Sequence, residues 1–355
     1  MIMLRKKKRQ FMDSPKNIIV RMPNWIGDVV MATPVLANLR KHYPDAAITV
    51  MCQSNVASLL QDDPNVDEIF SFIKPSRWLH RVHHGVLIKR LVQGDYDLGI
   101  LLPLSFSSAW LFWRGKVQNL LGYQGHWRRF FLDKALSLPA DVEKRYLVEV
   151  YQKLLVPLEV VECGRSPRLY ISKDEVQDAR DLLGRCGVTN KHIVVGVNPG
   201  AAYGSAKCWL PDRFHQVTEW LLENPAVRVV YFGDSKSRPL VEDICASMSE
   251  RVINLAGKTS LRELMALIRM CNIFLTNDSG PMHIAAALGI PLVALFGSTN
   301  PTKTGPYKTG IVLYKGVECS PCYQRVCPKD FSCMKKISVE EVCQALQKLL
   351  VEVKK

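Results

Sequence analysis

Residues 17–40 read NIIVRMPNWIGDVVMATPVLANLR. Ile18 to Met22 is a short run dominated by β-branched and other apolar residues, without strict polar alternation. That is the pattern of a strand buried on both faces. It breaks into Pro23-Asn24-Trp25-Ile26-Gly27-Asp28, and a helical run follows at once. Strand, tight turn and helix make the unit of a parallel α/β sheet, whose chemistry sits in loops at the carboxyl ends of strands. Asp28 is the only carboxylate within 18–31. It either caps the following helix or serves as a base in a cleft, and the turn alone leaves both readings open. The helix has two possible starts. Thr33-Pro34 offers an N-cap followed by proline at the first helical position, giving 33–42. A start at Asp28 instead carries Pro34 in the second turn and bends there.

The same alternation continues outward. In the first half, strands are expected at 47–51, 66–72 and 96–104, with helices at 54–61, 77–92 and 141–155. The pattern loosens around 160–190, and the interdomain connection is placed at 166–191. It restarts with strands at 193–199, 227–233, 252–257, 273–277 and 291–297. Helices fall between them at 212–223, 238–249, 260–270 and 281–288, and an amphipathic helix ends the chain. Ser260-Leu261-Arg262-Glu263 is a capping box that marks one helix start. The expected fold class is α/β, as two Rossmann-like doubly wound domains facing across a cleft. Residues 1–16 form a basic head, 17–165 the N-terminal domain and 192–355 the C-terminal one.

A chain of 355 residues suits two such domains. Its formal net charge of +14 asks for an acidic partner: nucleic acid, an anionic membrane face or a phosphorylated substrate. The charge concentrates in the head LRKKKRQ, in 74–90 (KPSRWLHRVHHGVLIKR) and in HWRRFF at 126–131. Solvated charge on an exposed face is the alternative for each alone; three in one half favour an anionic surface partner. No stretch is long and apolar enough for a membrane span, and the basic head is not followed by an apolar signal core. A cytoplasmic protein adhering to a membrane surface is expected. Of the 11 cysteines, four lie close together as Cys319-x2-Cys322-x4-Cys327-x5-Cys333. Four thiolates could hold zinc, but the spacing is not that of paired C-x2-C repeats, and reduced, unligated thiols are the alternative.

Three loops of the second half point to a nucleotide diphosphate. TNDSGPMH at 276–283 follows a strand and opens a helix, so Asp278, Ser279 and Gly280 lie where unpaired amides and the helix dipole attract phosphate. His283 follows within the first turn. Capping by Asp278 or Ser279 is the structural alternative. NPGAAYGSAKCW at 198–209 reads as a mobile glycine loop whose Lys207 can reach a phosphate as a point charge. AGKTS at 256–260 adds a helix start, with Lys258 as a further contact. No Gly-x4-Gly-Lys-Ser/Thr is present, and no Gly-x-Gly-x-x-Gly follows either first strand, which argues against NTP hydrolysis and NAD(P) chemistry. With a nucleotide sugar on the second half, Asp28 on the first can take the proton of an attacking hydroxyl.

These motifs resemble those of the ADP-heptose:lipopolysaccharide heptosyltransferases, glycosyltransferase family nine, and most of all its heptosyltransferase II branch. PNWIGDVVMATPVLANLR, NPGAAYGSAKCWLPDRF, NLAGKTSL and TNDSGPMHIAAALGIPLVALFGSTNP match in order and spacing, over about 17–350. The resemblance implies the GT-B architecture. It implies inverting transfer of L-glycero-D-manno-heptose from ADP-heptose to the inner core of lipopolysaccharide, with no cofactor and no obligatory metal. Asp28 falls on the family's proposed general base and Lys207 on its nucleotide-loop lysine. Thr259 falls on an adenosine contact, and Asp278, Ser279, Gly280 and His283 on the diphosphate loop. The N-terminal domain then binds acceptor, with Asn24, Trp25, Ser105, Ser107, Ser108 and Arg128 as candidate contacts. The anionic glycolipid acceptor, at the inner face of the inner membrane, accounts for the positive charge without nucleic acid. A family member with another acceptor, of the heptosyltransferase I type, or another nucleotide sugar is the neighbouring reading. A basic nucleic-acid-binding α/β protein is the reading from another class, and it leaves Gly27-Asp28 and the phosphate loops unexplained.

Overall fold

The structure is a computed structural model that describes residues 14–73, 80–125, 127–160 and 165–353. The basic head up to 13 and residues 74–79 of the second basic stretch lie outside the described residues.

Two six-stranded sheets carry the fold. The first contains β1 (Asn17–Arg21), β2 (Ala47–Gln53), β3 (Glu68–Phe72), β4 (Leu98–Leu101), β5 (Asn119–Tyr123) and β6 (Lys134–Leu136). The second contains β7 (Ile193–Asn198), β8 (Val227–Tyr231), β9 (Val252–Asn254), β10 (Ile273–Asn277), β11 (Leu292–Phe296) and β12 (Ile311–Tyr314). Their orders are β3-β2-β1-β4-β5-β6 and β12-β11-β10-β7-β8-β9. Renumbered from its own first strand, the second order is the first one reversed, so both halves share one doubly wound topology. All ladders are parallel, with Ile18 paired to Ile48 on one side and Leu98 on the other. Ile18, Ile19 and Val20 are fully buried, as strands covered on both faces must be. The order reverses between β1 and β4 and again between β7 and β10. These are the points where such sheets open a crevice for ligand.

The helix after β1 starts early. It runs Ile26–His42 without a break and keeps Pro34 inside, so the expected start at Thr33-Pro34 is not used. Proline has no N–H for the carbonyl of Val30. The Thr33 hydroxyl takes that place, donating to Val30 O at 2.8 Å, while its oxygen accepts the Arg168 amide at 3.2 Å. The helix expected over 141–155 is interrupted. A short turn at Val142–Lys144 and the helix Leu147–Lys153 replace it, with Arg145 extended between them. Glu143 is drawn to the other half of the molecule, where it accepts from Lys303 and from the Tyr323 hydroxyl. The 166–191 stretch contains the helix Lys173–Arg185, opened by a capping box of Ser172 and Glu175. It packs on the helix Leu261–Arg269, whose Ser260–Glu263 capping box forms as its sequence requires.

One side chain gathers three parts of the chain. Arg262 donates Nε to Glu175 at 2.6 Å and Nη2 to both Glu175 and Asp62. Its Nη1 serves the carbonyls of Ser58, Gln61 and Tyr170 at 3.0–3.3 Å. Every guanidinium nitrogen of Arg262 is thus engaged. The second sheet's helix, the first half's 58–62 turn and the connecting segment meet in a knot around this nearly buried guanidinium.

Candidate active site

Two helices aim their first turns at one cleft: Ile26–His42 after β1, and Gly280–Ala287 after β10. Trp25 and Ser279 occupy their N-cap positions and make no capping bond through their side chains. Each helix therefore keeps unpaired amides and the positive end of its dipole at the cleft. The two ends abut. A Cβ on Gly27 would stand 2.6 Å from the His283 ring, and one on Gly280 would stand 2.8 Å from Ile26. Gly27 is glycine because the first half lies directly on His283 of the second, and no other residue fits.

The cleft has a volume of about 480 Å³ and takes its walls from both halves. Trp25, Asp28 and Met31 line it from the first half; Tyr203, Lys207, Thr259, Asp278 and Ser279 line it from the second. Asp28 accepts no hydrogen bond among the described residues, so the capping reading is not realised. Burial pushes its carboxyl pKa up to about 6; the Lys207 charge works against that shift and Asp278 adds to it. A carboxylate with free lone pairs and a pKa near neutrality can accept a proton from a hydroxyl.

Opposite Asp28, the second half offers cation and amides. Lys207 Nζ lies 2.5 Å from Asp278 Oδ2, which also accepts from the Thr299 hydroxyl at 2.5 Å. The ammonium also stands 4.9 Å from the centre of the Tyr203 ring. Asp278 holds the lysine at the mouth of the helix rather than capping the helix itself. His283 is buried, and burial pushes its pKa down to about 4, so at neutral pH it is an uncharged donor or acceptor. Buried asparagines at two strand ends stitch the loops together. Asn198 Nδ2 donates to Gly200 O at 2.9 Å and to Ser279 Oγ at 3.2 Å. Asn277 Nδ2 donates to Pro199 O at 2.6 Å, and its Oδ1 accepts the Trp209 amide at 3.1 Å. Sequence reasoning missed Asn198, Asn277, Tyr203 and Thr299. The first two were visible as polar residues closing apolar strands; nothing local marked the others.

The glycine loop is tied to the cysteine-rich segment. Tyr203 donates its hydroxyl to Tyr323 O at 2.6 Å, and Arg325 O accepts the Ala206 amide at 3.0 Å. Gly204, at φ +156°, passes so close that a Cβ would stand 2.2 Å from Arg325 O. The cysteine-rich segment is thus the outer buttress of the Lys207 loop. Its four cysteines are free thiols, and among the described residues no three His, Cys, Asp or Glu side chains group as metal ligands. Lys258 bonds Asn254 O and does not line the cleft.

The acceptor contacts divide. Trp25 stands exposed at the lip of the cleft, and Asn24 is exposed and accepts from Arg21 at 2.7 Å. Ser105 and Ser108 bond one another at 2.9 Å at the start of the helix Phe106–Arg114, and with Ser107 they lie outside the cleft lining. Arg128 is not a surface contact. It is fully buried against Gly122 and donates to Pro103 O, because its turn folds back under β5. Among the described residues no helix is long and apolar enough to cross a membrane.

Comparison with known proteins agrees with this geometry. The family described as Glycosyltransferase family 9 (heptosyltransferase) matches residues 85–332. Lipooligosaccharide heptosyltransferase 2 of Haemophilus influenzae is 29% identical over 85% of this chain and 89% of its own. Lipopolysaccharide heptosyltransferase 2 of Salmonella typhimurium is 31% identical over 81% of this chain and 85% of its own. The solved structure of ADP-heptose lps heptosyltransferase II from E. coli superposes with a TM-score of 0.82 at 26% identity, covering 96% of this chain and all of that one.

Proposed function

The chain belongs to glycosyltransferase family 9, the heptosyltransferases, and from that premise we propose that it is a lipopolysaccharide heptosyltransferase of the second type. It moves L-glycero-D-manno-heptose from ADP-heptose to the inner-core heptose of lipopolysaccharide. The carrying observation is the pairing across one cleft of an unbonded carboxylate, Asp28, with a cationic helix mouth built from Lys207 and residues 279–280.

In this reading the diphosphate of the donor lies on the amides of Ser279 and Gly280, with His283 as a neutral partner and Lys207 meeting its charge. Thr259 faces the adenosine part. The acceptor hydroxyl enters beside Trp25. As its oxygen bonds to the anomeric carbon, its proton passes to Asp28, and the bond from that carbon to the diphosphate oxygen breaks on the opposite side. ADP leaves with the electron pair, and the configuration inverts. Lys207 and the helix mouth stabilise the new charge on the leaving group, so the residues present supply what a metal would otherwise supply. The acceptor is a membrane-anchored glycolipid, and the protein works against the cytoplasmic face of the inner membrane by peripheral contact.

The test is ADP release from ADP-heptose with a core acceptor already bearing one heptose, against the same core without it. Release that requires the heptose-bearing acceptor supports the assignment. Release with the heptose-free core reassigns the protein to the first transfer. Release with neither, while ADP still binds, overturns the substrate reading.

A further inference from the structure

We propose that the face built from residues 104–125 and 127–131 docks the protein on an anionic lipid bilayer. The proposal rests on the reading of the acceptor as a membrane-anchored glycolipid and names the surface that reaches it. The stretch contains no Asp or Glu and carries Arg114, Lys116, Arg128 and Arg129 among seven phenylalanine and tryptophan residues. Folding gathers it into one face. The Phe131 ring meets Phe106 at 5.3 Å and Trp113 at 5.4 Å, and Trp127 stacks on Phe130 at 6.5 Å. Yet the outer rings stay in solvent: Trp127 is 80% exposed, Phe130 59%, Phe106 45% and Trp113 40%.

The backbone favours this display. Arg128 turns inward to Pro103 O, which leaves Trp127, Arg129 and Phe130 outside. Trp127 adopts φ +62°, a left-handed conformation that costs a bulky residue free energy, and among the described residues no buried contact of its ring repays it. Arg114, Lys116 and Arg129 are exposed, and none pairs with a carboxylate among the described residues. A second copy of the chain would set these like charges against each other. A bilayer offers phosphates to the cations and an interfacial zone in which tryptophan and phenylalanine are at home. The position fits delivery of a lipid-anchored substrate. The Leu102 amide donates to Arg21 O at 3.2 Å, so the chain leaving β4 toward Leu104 and Phe106 starts beside the end of β1, at the same carboxyl end of the sheet as Trp25 and Asp28.

The experiment is cosedimentation of the full chain with phosphatidylcholine vesicles, with and without phosphatidylglycerol, alongside transfer to a lipid-free, water-soluble core acceptor. The wild type should bind only the anionic vesicles and release them at high salt. Trp127→Ala with Phe130→Ala should weaken vesicle binding about tenfold or more, from lost interfacial burial of two rings. Arg129→Gln with Lys116→Gln should weaken it to a similar degree, at about fivefold per charge. Both should leave transfer to the soluble acceptor unchanged. Undiminished vesicle binding by both variants, or no binding by the wild type, overturns the proposal. So does a wild-type dimer that the aromatic variant converts to monomer, because the face would then be a contact between copies. Vesicle binding without transfer leaves the docking face standing and overturns the enzymatic reading instead.

Discussion

Asp28→Asn should inactivate the protein and stabilise it at the same time. The two effects come from one cause. Burial holds the Asp28 carboxyl at about 6, above its ordinary 3.8. A group whose folded pKa is raised favours the protonated form in the fold. Its contribution is therefore fully present below pH 3.8 and is lost as pH rises through 6. At neutral pH the ionised carboxylate burdens the fold. The shift of about two units sets an upper bound of about 3 kcal/mol, and partial solvation reduces this to about 1–2 kcal/mol. Asparagine, nearly isosteric and uncharged, removes that burden, so thermal melting at pH 7.5 should rise by a few degrees. The same change removes the proton acceptor, and turnover should fall about 10²–10⁴-fold. For the wild type, kcat/KM should climb with pH to a plateau, reaching about half its limit near pH 6 and about a tenth near pH 5. The variant's residual rate should lack that inflection. The assays are ADP release across pH and calorimetric melting. A variant that keeps more than a tenth of the activity would refute the role of Asp28 as base. So would one that loses activity together with several degrees of melting temperature. If Asp28 only capped its helix, asparagine would cap as well and neither quantity would move.

Lys207→Met leaves Asp278 buried without its cation and removes the charge facing the leaving group, so kcat/KM should drop about a hundredfold and ADP affinity should fall with it, measurable by titration calorimetry. Gly27→Ala forces a methyl into the His283 ring, which should lower stability by about 1–3 kcal/mol and slow turnover by tilting the turn that carries Asp28, checked by denaturant melts and kinetics. Arg262→Met strands Glu175, which is partly solvated, and should cost about 1–3 kcal/mol at pH 7. Arg262 holds Glu175 at about 2, below its ordinary 4.5, so this stabilisation is present above pH 4.5 and is lost as pH falls toward 2. The stability gap between wild type and Arg262→Met should accordingly close in acid; a gap independent of pH would refute the pairing.

What the sequence made legible were features carried by neighbouring residues. Apolar runs such as Ile18–Val20 announced buried parallel strands, and the loops at 22–28, 198–209 and 276–283 stood out because they close such runs. The capping box at Ser260 formed as read. Misreadings arose where distant partners overrule local signals. Thr33-Pro34 has the look of a helix start, yet inside the helix the threonine hydroxyl serves the carbonyl that proline cannot. Glu143 sits in a helical pattern, but Lys303 and Tyr323 capture it from the other half. Arg128 looks like surface charge, and only the return of its turn under β5 explains its burial. The short strands β6 and β12 carry too few residues for a periodic signal of their own. Among the candidate site residues, Trp25, Asp28, Lys207, Thr259, Asp278, Ser279, Gly280 and His283 line the cleft, whereas Asn24, Arg128 and the serines at 105, 107 and 108 do not.

The knot at Arg262 bears on how this protein can be recombined. Two halves with the same strand order invite shuffling, with the donor half of one relative joined to the acceptor half of another at the connecting segment. Here such a cut separates Arg262 from Ser58, Gln61 and Asp62 on one side, while Tyr170 and Glu175 lie within the segment being cut. A chimaera built at that boundary inherits a guanidinium without its acceptors, or acceptors without their guanidinium. The exchangeable unit is therefore not the half but the half plus its share of the knot. Hybrids that transplant 58–62, 170–175 and 262 together should fold where simple swaps fail.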